Sequence, residues 1–170
     1  MRKIIPGHVQ IQELHLTELP DLSDVQVEWS FLCGFNNLTT LVGAPKIVGY
    51  NFWCLNNNLT SLIGGSTSVG MDYDCKNNRL TSLEGAPKRT NFTFDCSHNK
   101  LTNLIGAPET VGDCFRCNGN DLDSLEGIPK IVGDRPYCNG NFWISKELRD
   151  KFPREYIRSL SDIRGTIVYW

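Results

Sequence analysis

Seven cysteines are the residues of this chain best suited to chemistry, and six of them recur at intervals of 21 positions. A thiolate is a nucleophile and a metal ligand, and two thiols can form a disulfide. His98 lies two positions after Cys96, where an imidazole could activate the thiol. Cys114 and Cys117 form a Cys-x-x-Cys pair. The periodic cysteines are Cys33, Cys54, Cys75, Cys96, Cys117 and Cys138.

The residues around each cysteine argue against these chemistries. The stretch Phe-x-Cys alternates, so the ring and the thiol face the same side of a strand, towards the core. An apolar site raises the pKa of a thiol and removes its nucleophilic form. Cys114 and Cys117 lie three apart and face opposite sides of a strand, which makes them a poor metal clamp. In-register parallel strands seldom give disulfide geometry, so we expect free, buried thiols and a reducing cytosol. Only Cys114 is expected to face outward.

Carboxylates and threonines offer two further chemistries. Asp72, Asp74 and Asp95 supply oxygen ligands of the kind that calcium prefers, but Lys76 competes for them. Threonines also recur with the 21-residue period, and they could form a flat ice-binding array or serve as turn residues. We expect no metal, no cofactor and no catalytic centre. The periodic threonines are Thr39, Thr60, Thr81 and Thr102.

The same period organises the rest of the chain and predicts a solenoid with one coil per repeat. An asparagine follows each of the six periodic cysteines by three positions, and two leucines follow each of the first five asparagines. Because asparagine bonds nearby backbone, we expect a buried ladder of amides where the chain turns out of each strand. The asparagines are Asn36, Asn57, Asn78, Asn99, Asn120 and Asn141; the leucines are Leu38, Leu41, Leu59, Leu62, Leu80, Leu83, Leu101, Leu104, Leu122 and Leu125.

The repeat Phe94-Asp-Cys-Ser-His-Asn-Lys-Leu-Thr-Asn-Leu and its copies resemble a bacterial leucine-rich repeat over about residues 9–141. The form is similar to the repeats of secreted effector ubiquitin ligases, in which Asn-x-Leu-Thr-x-Leu-Pro recurs. Here Gly-Ala-Pro replaces Leu-Pro, and each coil is one residue longer. The Cys and Gly-Ala-Pro-Lys-x-Val-Gly variant looks more like small leucine-rich-repeat proteins encoded by tailed phages.

The predicted fold is a β-rich solenoid, a right-handed, leucine-rich-repeat-like coil of about seven repeats of 21–22 residues with one parallel sheet. The solenoid is expected over residues 1–143, with an irregular first coil over 1–30. A small α/β cap is expected over 144–170, with helices at Lys146–Phe152 and Arg154–Leu160 and a strand within Ile163–Trp170. The seven strands are predicted to begin near Val9, Phe31, Phe52, Tyr73, Phe94, Phe115 and Pro136.

Composition narrows the class of partner. The net charge is −2, which gives no electrostatic case for nucleic acid or an anionic membrane. No apolar run approaches the length of a membrane span. The N-terminal Met-Arg-Lys-Ile-Ile-Pro lacks the apolar core of a signal peptide. We therefore expect a cytoplasmic protein, in the host cytoplasm if a phage encodes it, with an unknown oligomeric state.

Function is expected on the side chains that flank each inward cysteine, because they vary while their neighbours are fixed. They project from the concave face of the sheet, with an apolar end, an acidic middle and a basic, aromatic end. Trp, Tyr and Arg are favoured as interface anchors. Alternatively, Trp53 is covered by residues 1–8 and the charges merely solvate the sheet. The predicted partner-binding residues are Leu32, Trp53, Leu55, Asp72, Asp74, Lys76, Asp95, Arg116, Arg135 and Tyr137.

These features favour a non-enzymatic binding protein. By the resemblance, it is a phage protein that binds a bacterial host protein and either inhibits host defence or redirects a host enzyme. Two alternatives remain open: a sponge or sensor that holds a small anion at Arg116 and Arg135, and a structural or assembly protein of a virion.

Overall fold

Each coil of this chain builds one strand in each of two parallel sheets. The computed structural model describes residues 3–136 and 138–170. Successive strands alternate between the sheets, and every pairing within a sheet is parallel. The predicted β-rich solenoid with parallel strands and little helix is confirmed, with about eight turns in the described residues. The prediction of a single sheet is wrong.

The two sheets have eight strands each within the described residues. The first contains β1 Lys3–Ile5, β3 Val25–Val27, β5 Ile47–Val48, β7 Ser68–Val69, β9 Arg89–Thr90, β11 Thr110–Val111, β13 Ile131–Val132 and β15 Asp162–Ile163. The second contains β2 Val9–Gln10, β4 Phe31–Leu32, β6 Phe52–Trp53, β8 Tyr73–Asp74, β10 Phe94–Asp95, β12 Phe115–Arg116, β14 Phe142–Ile144 and β16 Ile167–Tyr169.

The core is a set of columns that run along the solenoid axis. One column consists of aromatic rings that stack from coil to coil, with centroids 4.9–5.8 Å apart. Such separations suit offset-stacked rings, which stabilise a core beyond the area that they bury. The cysteine and leucine columns are buried beside the rings. The aromatic column is Phe31, Phe52, Tyr73, Phe94, Phe115 and Phe142.

The predicted amide ladder forms at the end of each strand of the second sheet. Asn78 is typical: its Oδ1 accepts the Leu59 N–H of the preceding coil at 3.1 Å. Its Nδ2 donates to Cys75 O at 3.0 Å and to Cys54 O at 3.1 Å. Each such side chain therefore satisfies buried backbone groups in two coils at once. The ladder consists of Asn36, Asn57, Asn78, Asn99 and Asn120.

The sequence predicted that Cys138 and Asn141 continue the cysteine and asparagine columns, and this prediction is wrong. The seventh strand of the second sheet, β14, begins at Phe142 and not near Pro136, because Phe142 pairs with Phe115. Asn141 instead accepts Thr166 N–H with its Oδ1. The segment between β13 and β14 makes this coil longer than its neighbours. The segment 138–141 thus has the Cys-x-x-Asn spacing of the repeat, but its backbone does not follow the course of the repeat.

The C-terminal segment adds strands to both sheets. A 3₁₀ turn, Lys146–Leu148, lies where a helix to Phe152 was expected. Helix α1 spans Arg154–Leu160, the range expected from the sequence, and buries Ile157. None of the helices in the described residues is long and apolar enough to cross a bilayer.

The five thiols of the cysteine column are fully buried, and each of the seven cysteines is free. Burial raises the pKa of Cys54, Cys75 and Cys96 well above the ordinary thiol value. Cys114 was expected to be the accessible thiol, but it is only 4 % exposed. Cys138 is the more exposed of the two, because it lies in the long segment outside the column.

Removal of one ladder amide should destabilise the whole fold. We expect Asn78→Ala to lower the free energy of unfolding by about 1–3 kcal/mol, because it orphans buried backbone groups. Leu80→Ala should lower it by about 2–5 kcal/mol through a cavity. The matched control is Arg79→Ala, at an exposed position between them. Urea unfolding in which both core variants match this control would contradict the assignment of inward and outward faces.

Candidate functional site

The outward face of the second sheet carries a continuous row of side chains, one from each coil. Strand pairing places Leu32, Trp53, Asp74, Asp95, Arg116 and Trp143 side by side in that order. Neighbouring strands lie about 4.8 Å apart, so adjacent members of the row are within reach of one another. The row is apolar or aromatic at its ends and charged in its middle.

The middle of the row forms a pocket of about 220 Å³. It brings together six of the ten residues that the sequence singled out, with Tyr73 and Thr93 completing the wall. The pocket is small for a drug-sized ligand but large enough for a single side chain of a partner. The six are Trp53, Asp72, Asp74, Lys76, Asp95 and Arg116.

Two ion pairs organise the charges of this pocket. Lys76 Nζ lies 3.0 Å from Asp74 Oδ2. Arg116 Nη1 lies 3.5 Å from Asp95 Oδ2. Asp95 also accepts the backbone N–H and the hydroxyl of Ser97 with Oδ1. With three carboxylates and two cations, the pocket carries a net charge of about −1.

Asp72 has a structural role as well as a place in the pocket. Its Oδ1 accepts the Thr93 N–H of the next coil at 2.8 Å. Asn51 accepts Asp72 N–H in the same way, and Asn141 accepts Thr166 N–H. This row of side chains caps the backbone beside each strand, so the type of residue at position 72 is partly set by the scaffold.

Burial raises the pKa of Asp74, and the neighbouring Asp95 raises it further, whereas bonds from Lys76 lower it. Burial also raises the pKa of Asp72. The Asp74 side chain is only 16 % exposed. Burial therefore disfavours the charged form of Asp74. A carboxylate disfavoured in this way is typical of functional sites but also occurs in structural ion pairs.

Two predicted residues, Leu55 and Arg135, do not lie where the sequence placed them. Leu55 is only 8 % exposed and packs beside Gly34, so it offers little surface. Arg135 places its guanidinium 4.0 Å from the centre of the Phe92 ring, outside the row of Arg116. Tyr137 lies outside the described residues. Leu32 is half-buried in the row, as expected.

Trp143 and Trp170 are members of this surface that the sequence analysis missed. Trp143 follows Arg116 in the row, and the guanidinium of Arg116 lies 5.6 Å from its ring centre. Trp170 packs edge-on against Trp143 at 5.7 Å. A signal was present in the sequence, because Asn-Phe-Trp at 141–143 repeats Asn-Phe-Trp at 51–53.

An exposed aromatic row at a corner of the coil was also missed. Trp29 lies 4.9 Å from the ring of His8 and 6.3 Å from that of Tyr50. Trp29 and Tyr50 are both exposed. They recur 21 positions apart, just before the capping row, and this periodicity alone could have revealed them.

The structure does not place Cys96 and His98 as a nucleophile and its activating base. Cys96 is fully buried, and its Sγ donates to Arg116 O. His98 has φ +54°, matching Asn56 and Asn77 at the same position of their coils. Histidine and asparagine tolerate this left-handed conformation better than most residues, so His98 serves the turn. In the described residues, no three His, Cys, Asp or Glu side chains are grouped closely enough to hold a metal ion.

Comparisons with known proteins give no family for this chain. No protein-family model matches the sequence, and no curated protein matches it.

The raised pKa of Asp74 predicts how its charge affects stability. An acid whose pKa is raised by folding holds its proton more tightly in the folded state, so its ionised form costs stability above that pKa. We expect Asp74→Asn to raise the free energy of unfolding at pH 7, since the amide oxygen can still accept Lys76 N–H. The gain should vanish below the ordinary Asp pKa of about 3.9.

The control for this prediction is Glu109→Gln. Lys130 lowers the pKa of this exposed carboxyl, so the substitution should not stabilise the protein. Urea unfolding across the pH range would measure both variants. If Asp74→Asn is less stable than the wild type at pH 7, the Lys76 contacts outweigh burial and the interpretation of Asp74 is wrong.

Proposed function

We propose that this chain is a non-enzymatic binding module that recognises a protein through the outward face of the second sheet. One observation carries the proposal: six predicted residues converge on a single pocket of that face, and none of them belongs to the core columns. Repeat scaffolds characteristically bind partners through the positions that the repeat leaves free.

The composition of the face supports a protein partner. Trp53, Arg116 and Trp143 belong to the residue types that dominate binding energy in protein interfaces. The charged side chains at the centre, four of them joined in two ion pairs, give a pattern that discriminates between partners by charge. The exposed Trp29 and Tyr50 precede strands β4 and β6, which carry Leu32 and Trp53, and they add exposed apolar surface to those two coils.

The class of partner follows from the resemblance of the repeat. Because the Cys and Gly-Ala-Pro-Lys-x-Val-Gly form is similar to phage-encoded repeats, the proposed partner is a bacterial host protein. Binding would block or redirect a host defence protein in the host cytoplasm.

A double substitution on the face should separate binding from folding. We expect Trp53→Ala combined with Arg116→Ala to weaken partner binding by at least about 30-fold, the loss of one interface hot spot. The melting temperature should remain nearly unchanged, since neither side chain belongs to the core. Affinity capture from a bacterial lysate, followed by mass spectrometry and by titration of the captured protein, measures this loss.

The matched control is Lys88→Ala combined with Glu109→Ala, an exposed ion pair away from this face. It should capture one stoichiometric protein as the wild type does. A double variant on the face that still captures the partner, with loss in the control instead, would contradict the proposal. Recovery of a retained small anion or of capsid and tail proteins would favour the sponge or the virion component.

A further inference from the structure

Two buried hydrogen-bond donors at one end of the outward row lack a partner. Neither Arg116 Nε nor Trp143 Nε1 has an acceptor in the described residues, and both nitrogen atoms are shielded from solvent. They belong to side chains in contact, because the guanidinium lies 5.6 Å from the centre of the Trp143 ring. Buried polar groups are nearly always satisfied, so two orphaned donors in neighbouring side chains need an explanation.

The nearest carboxylate does not serve these donors. Asp95 is only 6 % exposed and already accepts two hydrogen bonds from Ser97 with Oδ1. Its Oδ2 approaches Arg116 only through Nη1, at the long distance of 3.5 Å. The guanidinium group of Arg116 therefore has hydrogen-bond donors that Asp95 does not satisfy. A fork of this kind matches the two oxygens of a carboxylate, with charge-assisted hydrogen bonds.

We propose that Arg116 and Trp143 form a subsite for the carboxylate of an aspartate or glutamate side chain of the protein partner. The inference rests on the proposed function and names the chemistry that the partner presents at this end of the face. One carboxylate oxygen accepts from the guanidinium and the other from the indole N–H. The aromatic face of Trp143 holds the guanidinium in place by a cation–π contact.

A carboxylate can reach the two shielded donors only if a neighbouring side chain moves, and Trp170 is an exposed neighbour of Trp143. Its ring packs edge-on against Trp143 at 5.7 Å, yet the residue is 70 % exposed. Its backbone is held by Ile144 O and Lys146 N–H. The side chain can turn aside about its own torsions while the strand stays in place. Arg116 also lines the acidic pocket around Asp74, and the subsite lies at the Trp143 end of that pocket.

Indole resonances provide a direct test, because the chain has only four tryptophans. The probe is N-acetyl-glutamate methylamide, titrated at neutral pH into the ¹⁵N-labelled full chain. We expect the Trp143 indole N–H resonance to move to lower field and to saturate, while those of Trp29 and Trp53 stay in place. N-acetyl-glutamine methylamide, which has the same shape but no charge, should not move it.

Two conservative variants complete the test. Trp143→Phe keeps the aromatic face and removes only the N–H, whereas Arg116→Lys keeps the charge and removes the fork. Each should weaken binding of the charged probe by at least fivefold, as followed by the Trp170 resonance. The control Arg149→Gln changes an arginine that lies over Tyr169 and should bind the probe as the wild type does. A Trp143 resonance that does not move, or moves equally with both probes, overturns the subsite.

Failure of the subsite can be distinguished from failure of the proposed function. If the captured partner binds Trp143→Phe as tightly as it binds the wild type but not Trp53→Ala with Arg116→Ala, the subsite is wrong and the binding face stands. If the charged probe binds as expected but no protein is captured, the carboxylate subsite stands and the proposed partner class is wrong.

Discussion

The asparagine ladder is the interaction on which the rest of this structure depends. One amide at the end of each strand accepts a backbone N–H of the preceding coil and donates to carbonyl groups of both coils. These bonds fix where the chain leaves the second sheet, and they fix the register between coils. Because register decides which side chains face inward, the ladder also aligns the ring, thiol and leucine columns that fill the core.

A core specified in this way leaves the outward rows free to vary. Leu32, Trp53, Asp74, Asp95 and Arg116 occupy equivalent positions in successive coils, and they range from apolar through acidic to basic. Asp74 is the clearest case, because burial and the neighbouring Asp95 raise its pKa and disfavour its charge. Side chains that a fold tolerates without benefit to stability are the ones expected to serve binding.

Periodic columns made much of this fold predictable from sequence. The inward rings, the ladder and six of the strand starts follow from alternation and spacing alone. The first sheet was not predicted, because each of its repeats from β5 onward carries one inward residue, such as Val69 in Ser68–Val69, and shows no alternation like that of Phe-x-Cys. The long coil was misplaced because Cys138 and Asn141 keep the repeat spacing while Phe142 takes the strand position. Within the candidate site, the outward row of side chains could be predicted from the sequence. The burial of Leu55 and the stacking of Arg135 on Phe92 could not, because they depend on neighbours in space.

Amide hydrogen exchange measures directly whether the asparagine ladder holds the coils together. The N–H groups of Leu38, Leu59 and Leu80 lie outside the strands and donate to side-chain oxygens of the next coil. If the ladder holds the coils together, they exchange as slowly as strand amides such as Phe52 N–H, which donates to Asp72 O. Exchange of these three leucine amides as fast as that of exposed turn amides would show that the ladder does not hold the coils together.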